Sequence, residues 1–208
     1  INDFQKKMPP DTQKCPLELV LCNRCNLLQL AHIINPEELY SDFYWYKSGN
    51  NSAIVQDLKS IAEQAIKMAD IRKGDIFLDI GANDGTLLSF VPKIYERYGV
   101  EPAKNLIDDL RKHTTAHCSD FWEDVDSLPD KRKAKIITAI GMFYDSEDPN
   151  KFISNVKKFL IKDGLIEQLV ITTYEESIVR KFIDFENVNI ISLQTIEKYL
   201  SSEEEIIS

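Results

Sequence analysis

Asp79 and the glycines that follow it form the pattern in this sequence best suited to holding a small ligand. Residues 79–85 read Asp-Ile-Gly-Ala-Asn-Asp-Gly and come directly after an apolar run, where a strand would turn into a helix. Glycine permits a tight turn and lets a ligand approach the backbone closely. The pattern differs from Gly-x-Gly-x-x-Gly, which accepts a pyrophosphate, and its acidic side chains disfavour a phosphate. It favours a ligand with a positive centre.

Glu101 supplies a second carboxylate at the end of the next predicted strand, about 20 residues further on. In dinucleotide-binding folds an acidic side chain at this place accepts hydrogen bonds from ribose hydroxyls. Together, Asp79 and Glu101 favour a ligand that combines an amino acid group with a ribose. The alternative is that Asp79 and the glycines only shape a turn.

Cys22 and Cys25 form a C-x-x-C pair near the start of the chain, with Cys15 close by and Cys118 far away. Without a secretory signal, a clustered pair of this spacing indicates a metal clip or a redox pair rather than a disulfide framework. A buried pair of thiols without a metal is the alternative.

The histidines and the aromatic residues between positions 40 and 46 are weaker candidates. His113 and His117 are four residues apart, but we interpret them as solvated histidines near the end of a helix. His32 is interpreted as a polar surface residue. Residues 40–46 either pack in the core or form a lid that closes over a site.

Composition excludes several classes of protein. The chain has 208 residues, of which 43% are hydrophobic, enough for one core and a small appendage. With 34 acidic and 25 basic residues the net charge is -9, which repels nucleic acid and favours a small-molecule partner. Its apolar runs are far shorter than the roughly 20 residues that span a bilayer, so we expect a soluble, cytoplasmic protein. Because the sequence opens on Ile1 rather than Met, we also expect the natural protein to continue upstream.

Three zones differ in pattern. Residues 1–50 have no sustained period and are predicted to form a small irregular metal-binding module. Residues 51–72 are predicted to form a connecting amphipathic helix with Ser52 as its N-cap. Residues 73–208 are predicted to form the ligand-binding domain.

Predicted strands and helices alternate in this last zone. The predicted strands cover residues 76–80, 98–101, 134–140, 165–172 and 190–193. The predicted helices cover residues 86–98, 103–113, 148–160, 175–182 and 195–200, with Asp148 and Pro149 beginning the third of them. This alternation predicts an α/β fold with a doubly wound, mostly parallel sheet, in which ligands bind at the carboxyl ends of the strands.

The segment around Asp79 resembles the cofactor motif of class I S-adenosylmethionine-dependent methyltransferases. The resemblance implies that Asp120 lies near the adenine amine, that Phe121 packs against its face, and that residues 141–145 line the methionine end. The residues it implies for binding S-adenosylmethionine are Asp79, Gly81, Asn83, Asp84, Gly85, Glu101, Asp120, Phe121 and Gly141.

A closer resemblance covers nearly the whole chain. Residues 16–30, 35–40, 44–49, 79–88 and 143–149 are similar to segments of the sugar C-methyltransferases that act on nucleotide-activated deoxysugars. The resemblance implies methyl transfer to a ring carbon beside a keto group. It also implies a structural zinc held by two C-x-x-C pairs.

The zinc ligands are one departure from that family. Only Cys22 and Cys25 are present here, and the partner pair would precede Ile1. Cys15 is a candidate third ligand, because tetrahedral zinc takes four ligands.

The catalytic residues are the other departure. Residues 185–193 align with a family stretch that reads His-Glu-His-Leu-Glu-Tyr-Tyr-Ser-Leu, and both histidines are replaced here. Asp145 stands where many relatives carry His, and Gly141 where they carry Asn. Carbon methylation beside a ketone needs a base to form the enolate. The candidates for that base are Glu186, Asp145 and Tyr144, with Tyr46 a further phenolate.

Two alternatives stay open for function. The acceptor is another small molecule, such as an oxygen nucleophile that needs a weaker base, or the chain binds the cofactor without catalysis.

Overall fold

The computed structural model describes residues 15–24, 28–161, 168–172 and 190–192. Near its start, strands β1 (Leu19–Leu21) and β2 (Leu28–Leu30) form a two-stranded antiparallel sheet in which Leu19 lies opposite Leu30. The rest of the chain is built around a larger sheet.

That sheet has six strands in the order β5-β4-β3-β6-β7-β8. Their bounds are β3 Ile76–Ile80, β4 Glu96–Val100, β5 Ala116–Cys118, β6 Ile136–Ile140, β7 Gln168–Thr172 and β8 Ile190–Ser192. All neighbouring strands run parallel except β7 and β8, which are antiparallel. This confirms the predicted α/β class and the mostly parallel sheet.

The strand order places a crevice at the carboxyl edge of the sheet. The chain runs outward from β3 through β4 to β5, then returns to the other side of β3 to form β6. The connections that follow β3 and β6 therefore leave the sheet in opposite directions. Ligands of open α/β sheets bind at such a switch point.

The described residues also form four α-helices and several short turns. The α-helices are α1 Ser52–Met68, α2 Thr86–Ser89, α3 Ile107–Leu110 and α4 Pro149–Phe159. The 3-10 turns are Ser48–Asn50, Lys104–Leu106, Trp122–Asp124 and Phe143–Asp145, and Glu37–Ser41 forms a π-helical turn. No helix in the described part of the chain is long and apolar enough to cross a membrane.

The helix starts follow ordinary capping rules. Asn51, not the predicted Ser52, is the N-cap of α1, because its side-chain oxygen accepts the backbone N–H groups of Ala53 and Ile54. The predicted start of α4 is confirmed, since the Asp148 carboxylate accepts the N–H of Lys151 at 2.9 Å and Pro149 occupies the first turn.

Two predicted helices are wrong in length. Residues 86–98 form only the short α2, because Pro92 lacks the N–H that a continuing helix needs and β4 begins at Glu96. Residues 103–113 divide into a 3-10 turn and the short α3. The predicted helices 175–182 and 195–200 lie outside the described residues.

The core lies on both faces of the sheet. Along β3, Ile76, Leu78 and Ile80 face the side covered by α4, whereas Phe77 faces the side covered by α1. All five residues of β3 are buried, as expected for a central parallel strand. The strand that carries Asp79 is therefore held rigidly between two apolar layers.

Candidate functional site

Asp79 is a buried carboxylate inside the central strand. Its side chain is 4% exposed, and the Thr138 hydroxyl on β6 donates a hydrogen bond of 2.6 Å to its Oδ1. Burial raises the pKa of the Asp79 carboxyl to about 7; the Thr138 hydrogen bond opposes this rise and the nearby Glu101 charge adds to it. A cation at this position would favour the ionised carboxylate.

The loop after β3 turns through three left-handed residues. The φ angles are +69° at Gly81, 51° at Asn83 and +81° at Gly85. A Cβ at Gly81 would lie 2.9 Å from Cγ of Met142, and one at Gly85 would lie 3.1 Å from Cβ of His113. Both glycines are therefore required by backbone conformation and by space.

Glu101 joins the loops that follow β3 and β4. Its carboxylate accepts the backbone N–H of Asn83 at Oε2 and that of Ala103 at Oε1, both at 2.8 Å. The side chain is 5% exposed, and burial raises its pKa while the two N–H groups lower it. An ionised carboxylate has about four acceptor positions, so Glu101 retains capacity for a pair of hydroxyls.

Asp84 stabilises this loop by accepting hydrogen bonds from Thr86 and Gly49. Its Oδ1 accepts hydrogen bonds from the backbone N–H and the hydroxyl of Thr86, at 3.1 and 2.6 Å. Its Oδ2 accepts the N–H of Gly49 at 2.9 Å. The start of α2 is thus fixed to a distant part of the chain.

That distant part is an aromatic strap, residues 42–49, which lies across both loops. The side-chain amide of Asn83 accepts the N–H of Ser48 at 3.0 Å and donates to the carbonyl of Tyr46 at 3.2 Å. The amide of Asn105 accepts the N–H of Tyr44 at 2.8 Å and donates to its carbonyl at 2.9 Å. No local sequence pattern indicates Asn105, because its partner Tyr44 is 61 residues away.

The strap brings Tyr44 close to the carboxylates. Its ring contacts those of Tyr40 and Tyr46, with centroids 5.5 and 6.3 Å away. Burial raises the pKa of the Tyr44 phenol, and the charges of Asp145 and Glu101 raise it further. For residues 40–46, predicted either to pack in the core or to form a lid, the structure shows ring contacts within the segment and backbone hydrogen bonds to the loops after β3 and β4.

The remaining predicted cofactor residues lie at the same edge. β5 ends at Cys118, whose carbonyl accepts the N–H of Glu101 at 3.0 Å. Asp120, exposed, and Phe121, half-buried, follow directly. Gly141 follows β6 with a φ of +64° and brings Met142 against Gly81.

The candidate bases are only partly described. Asp145 is exposed and lies with Tyr144 in the turn Phe143–Asp145 after β6. The Ser146 hydroxyl braces this turn by donating a hydrogen bond of 2.7 Å to Glu123 after β5. Glu186 lies outside the described residues.

The candidate metal ligands are not assembled in the described residues. Cys22 is half-buried after β1 and Cys15 is exposed, while Cys25 lies outside the described residues. Among residues that the structure describes, no group of three or more His, Cys, Asp and Glu side chains is arranged to hold a metal ion. These residues do not complete the four-ligand set of a zinc site.

The histidine predictions have mixed outcomes. His32 is exposed, and its Nε2 lies 3.2 Å from Oε2 of Glu18, which confirms a polar surface role. His113 and His117, predicted to be solvated, are partly buried, and the Arg111 side chain donates a hydrogen bond of 3.4 Å to His117 in an exposed setting. His113 packs against Gly85, and His117 belongs to β5 rather than to a helix end, because α3 stops at Leu110.

Residues 54–202 match the family model described as a methyltransferase domain. The chain belongs to this methyltransferase family. The methyltransferase part of the resemblance is thereby confirmed, and the match extends over strands β3 to β8, including Asp79 on β3 and Glu101 after β4.

The chain is similar in sequence to a curated C-methyltransferase and similar in fold to solved methyltransferase structures. The chain is 32% identical over 159 residues to the C-methyltransferase NovU of Streptomyces niveus, covering 72% of this chain and 36% of that protein. It therefore spans about a third of the length of this curated relative. The plantazolicin methyltransferase BpumL in complex with SAH has a TM-score of 0.51 at 16% identity, covering 76% of this chain and 64% of that one. BpumL with a monoazolic desmethylPZN analog and SAH has a TM-score of 0.51 at 15% identity, covering 74% and 59%. These two likenesses show the fold.

The methyltransferase site has the chemistry that S-adenosylmethionine requires. Glu101 offers free acceptor positions for ribose hydroxyls, and Asp79 offers a carboxylate for a cationic centre. The left-handed glycines at 81 and 85 let a ligand approach the backbone. The residues present therefore fit this cofactor.

Proposed function

We propose that the chain is part of an S-adenosylmethionine-dependent enzyme that transfers a methyl group to a carbon of a nucleotide-linked keto-deoxysugar. The observation that carries the cofactor assignment is Glu101, a buried carboxylate fixed by the N–H groups of Asn83 and Ala103 beside the left-handed loop. The similarity to a protein named as a C-methyltransferase supports carbon as the acceptor. The sugar rests on the resemblance of the quoted segments.

Within this proposal Glu101 orients the ribose and Asp79 holds the cationic amino acid group. S-adenosylmethionine, when bound, supplies an electrophilic methyl group. The protein contributes orientation, because fixing two reactants in a productive geometry removes much of the entropic barrier. The buried positions of Asp79 on β3 and of Glu101 just after β4 suit that task.

The acceptor carbon must lose a proton before it becomes a nucleophile. We propose that Asp145, Tyr144 or Glu186 removes it. The charge of Asp145 raises the pKa of the Tyr44 phenol, which supports a location of this turn near the strap. Zinc at Cys22 and Cys25 is part of the proposal as a structural ion, completed by ligands beyond the described residues.

The replaced histidines favour a second candidate. Asn187 and Phe185 stand where the resembled family carries histidine, and neither is a base at neutral pH. A different small-molecule acceptor with an oxygen nucleophile would need a weaker base.

Calorimetric titration with S-adenosylmethionine, S-adenosylhomocysteine and NAD tests the cofactor assignment. We expect micromolar binding of the first two and none of NAD, with at least tenfold weaker binding in Glu101→Gln, which loses the charge at almost constant shape. Glu63→Gln, the same change at an exposed position of α1, serves as the matched control. Binding of NAD with equal affinity, or wild-type affinity in Glu101→Gln, contradicts the proposal.

Turnover with isotopically labelled S-adenosylmethionine then separates the two acceptors. Incubation with nucleotide keto-sugars and carbon NMR of the product distinguishes a new C–CH₃ from an O–CH₃ group. A carbon-bound label supports the first candidate, whereas an oxygen-bound label supports the second.

A further inference from the structure

The aromatic strap, residues 42–49, is joined to the two ligand-binding loops by side-chain amides. We propose that the strap is the roof of the cofactor site and that Asn105 is a positioning residue that holds Tyr44 in it. The inference rests on the proposed function, because it assigns the strap to the site formed by Asp79 and Glu101.

Asn105 pairs with both backbone groups of a single strap residue. Its Oδ1 accepts the N–H of Tyr44 at 2.8 Å, and its Nδ2 donates to the carbonyl of Tyr44 at 2.9 Å. A paired donor and acceptor fix the orientation of the Tyr44 backbone, which one hydrogen bond would leave free to pivot. Asn105 itself lies in the turn Lys104–Leu106, just after Glu101.

Asn83 makes the equivalent clamp from the other loop. Its side chain binds the carbonyl of Tyr46 and the N–H of Ser48, while its backbone N–H donates to Glu101. One residue therefore contacts both the strap and the carboxylate proposed to bind ribose.

The fit of the strap is close at its far end. A Cβ at Gly49 would lie 3.0 Å from Oδ2 of Asp84 and 3.0 Å from the hydroxyl of Thr86. An ion pair lies beside the clamps, in which Nζ of Lys47 is 2.6 Å from Oδ2 of Asp109. The contacts thus extend over the length of the strap.

These clamps hold the Tyr44 ring near two carboxylates. After burial, the charges of Asp145, in the turn after β6, and of Glu101 raise the pKa of its phenol. A roof in this position would exclude water from the cofactor. Loss of the Asn105 clamp would release Tyr44 while leaving Asp79 and Glu101 in place.

The test combines S-adenosylhomocysteine titration with hydrogen exchange of the strap amides in the full chain. We expect S-adenosylhomocysteine to increase protection of residues 44–49 in the wild type. Asn105→Ala should bind it about tenfold more weakly and lose that added protection. Asn105→Asp, which keeps an acceptor for the Tyr44 N–H but not the donor, should lie between the two. Gln64→Ala, an amide removed from the exposed face of α1, should behave as the wild type.

Two other outcomes would contradict the proposal about the strap. If Asn105→Ala loosens the strap yet binds S-adenosylhomocysteine with wild-type affinity, the strap is not a roof and Asn105 has only a structural role. If the wild type fails to bind, the proposed function fails and the roof with it. Should Asn105→Ala not fold, Gly49→Ala crowds the Asp84 carboxylate and the Thr86 hydroxyl without removing either clamp. If hydrogen exchange shows a loosened strap in that variant and the affinity stays that of the wild type, the inference is overturned.

Discussion

Asp79 and Glu101 are two acidic side chains buried at neighbouring strand ends, with no basic group among the hydrogen-bond partners described for them. Burial disfavours the charged form of each, and the pKa of both carboxyls is raised. Such an arrangement is unfavourable for the empty protein and favourable for a cationic ligand. This supports the proposal that the candidate site binds a positively charged group, in a chain whose net charge is -9.

Cofactor affinity should depend on pH through Asp79. Its pKa is about 7, so the carboxyl becomes ionised as pH rises from 6 to 8, and a cation binds the ionised form more tightly. We expect S-adenosylhomocysteine to bind more tightly at pH 8 than at pH 6 in calorimetry. In Asp79→Asn this dependence should be largely lost. An equal pH dependence in both proteins would remove Asp79 from the binding of the positive group.

The unfolding free energy should fall as rising pH ionises Asp79, whereas the affinity for the cofactor should rise. Its pKa is raised above the unfolded value, so its favourable contribution is present at low pH and lost as pH rises through about 7. Compared with Asp79→Asn, the wild type should lose about 2–4 kcal/mol of unfolding free energy between pH 4 and pH 8. Urea denaturation at several pH values measures this, and parallel curves for the two proteins would contradict it.

At the scale of elements, the sequence predicts those strands and helix starts that are determined by residues close together in the chain. The apolar run of β3 and the Asp148 cap of α4 are encoded within a few residues, and both are confirmed. The clamp by Asn105 joins positions 61 residues apart, so no local pattern contains it. The short α2 follows from Pro92, whose effect a helical period alone does not show.

Gly81 joins two of these elements, the turn after β3 and the segment after β6. Gly81→Ala combines a strained φ of +69° with a contact of 2.9 Å to Met142. We expect a loss of about 1–3 kcal/mol in unfolding free energy and at least tenfold weaker binding of S-adenosylhomocysteine. Adding Met142→Ala should restore only the part due to the contact. Urea denaturation and calorimetry measure the two effects, and unchanged values in Gly81→Ala would contradict this description of the turn.

At the scale of the whole molecule, the candidate cofactor residues are spread over four strand ends. Asp79 and the loop after it belong to β3, Glu101 follows β4, Asp120 and Phe121 follow β5, and Gly141 follows β6. The candidate bases come from the segment after β6 and from residue 186. The sequence predicted that these strand ends share one edge, because the carboxyl ends of parallel strands meet at the same edge of a sheet. It did not predict the docking of residues 42–49, which depends on tertiary contacts.

Substitution of Glu186 tests whether this residue is the catalytic base. Glu186→Gln should lower turnover about 10²-fold or more, as expected for loss of a general base, while the affinity for S-adenosylhomocysteine stays unchanged. Glu175→Gln provides the same chemical change nearby. Full turnover in Glu186→Gln would assign proton removal to Asp145 or Tyr144.

The clamps between the strap and the loops also constrain assembly on the ribosome. Residues 44–49 are synthesised before β3, β4 and the turn that carries Asn105, so their hydrogen-bond partners do not yet exist when they emerge. Closing so long a loop costs entropy that only the finished sheet can offset. The nascent chain must therefore keep five aromatic residues, at positions 40, 43, 44, 45 and 46, away from wrong partners until translation has passed Asn105.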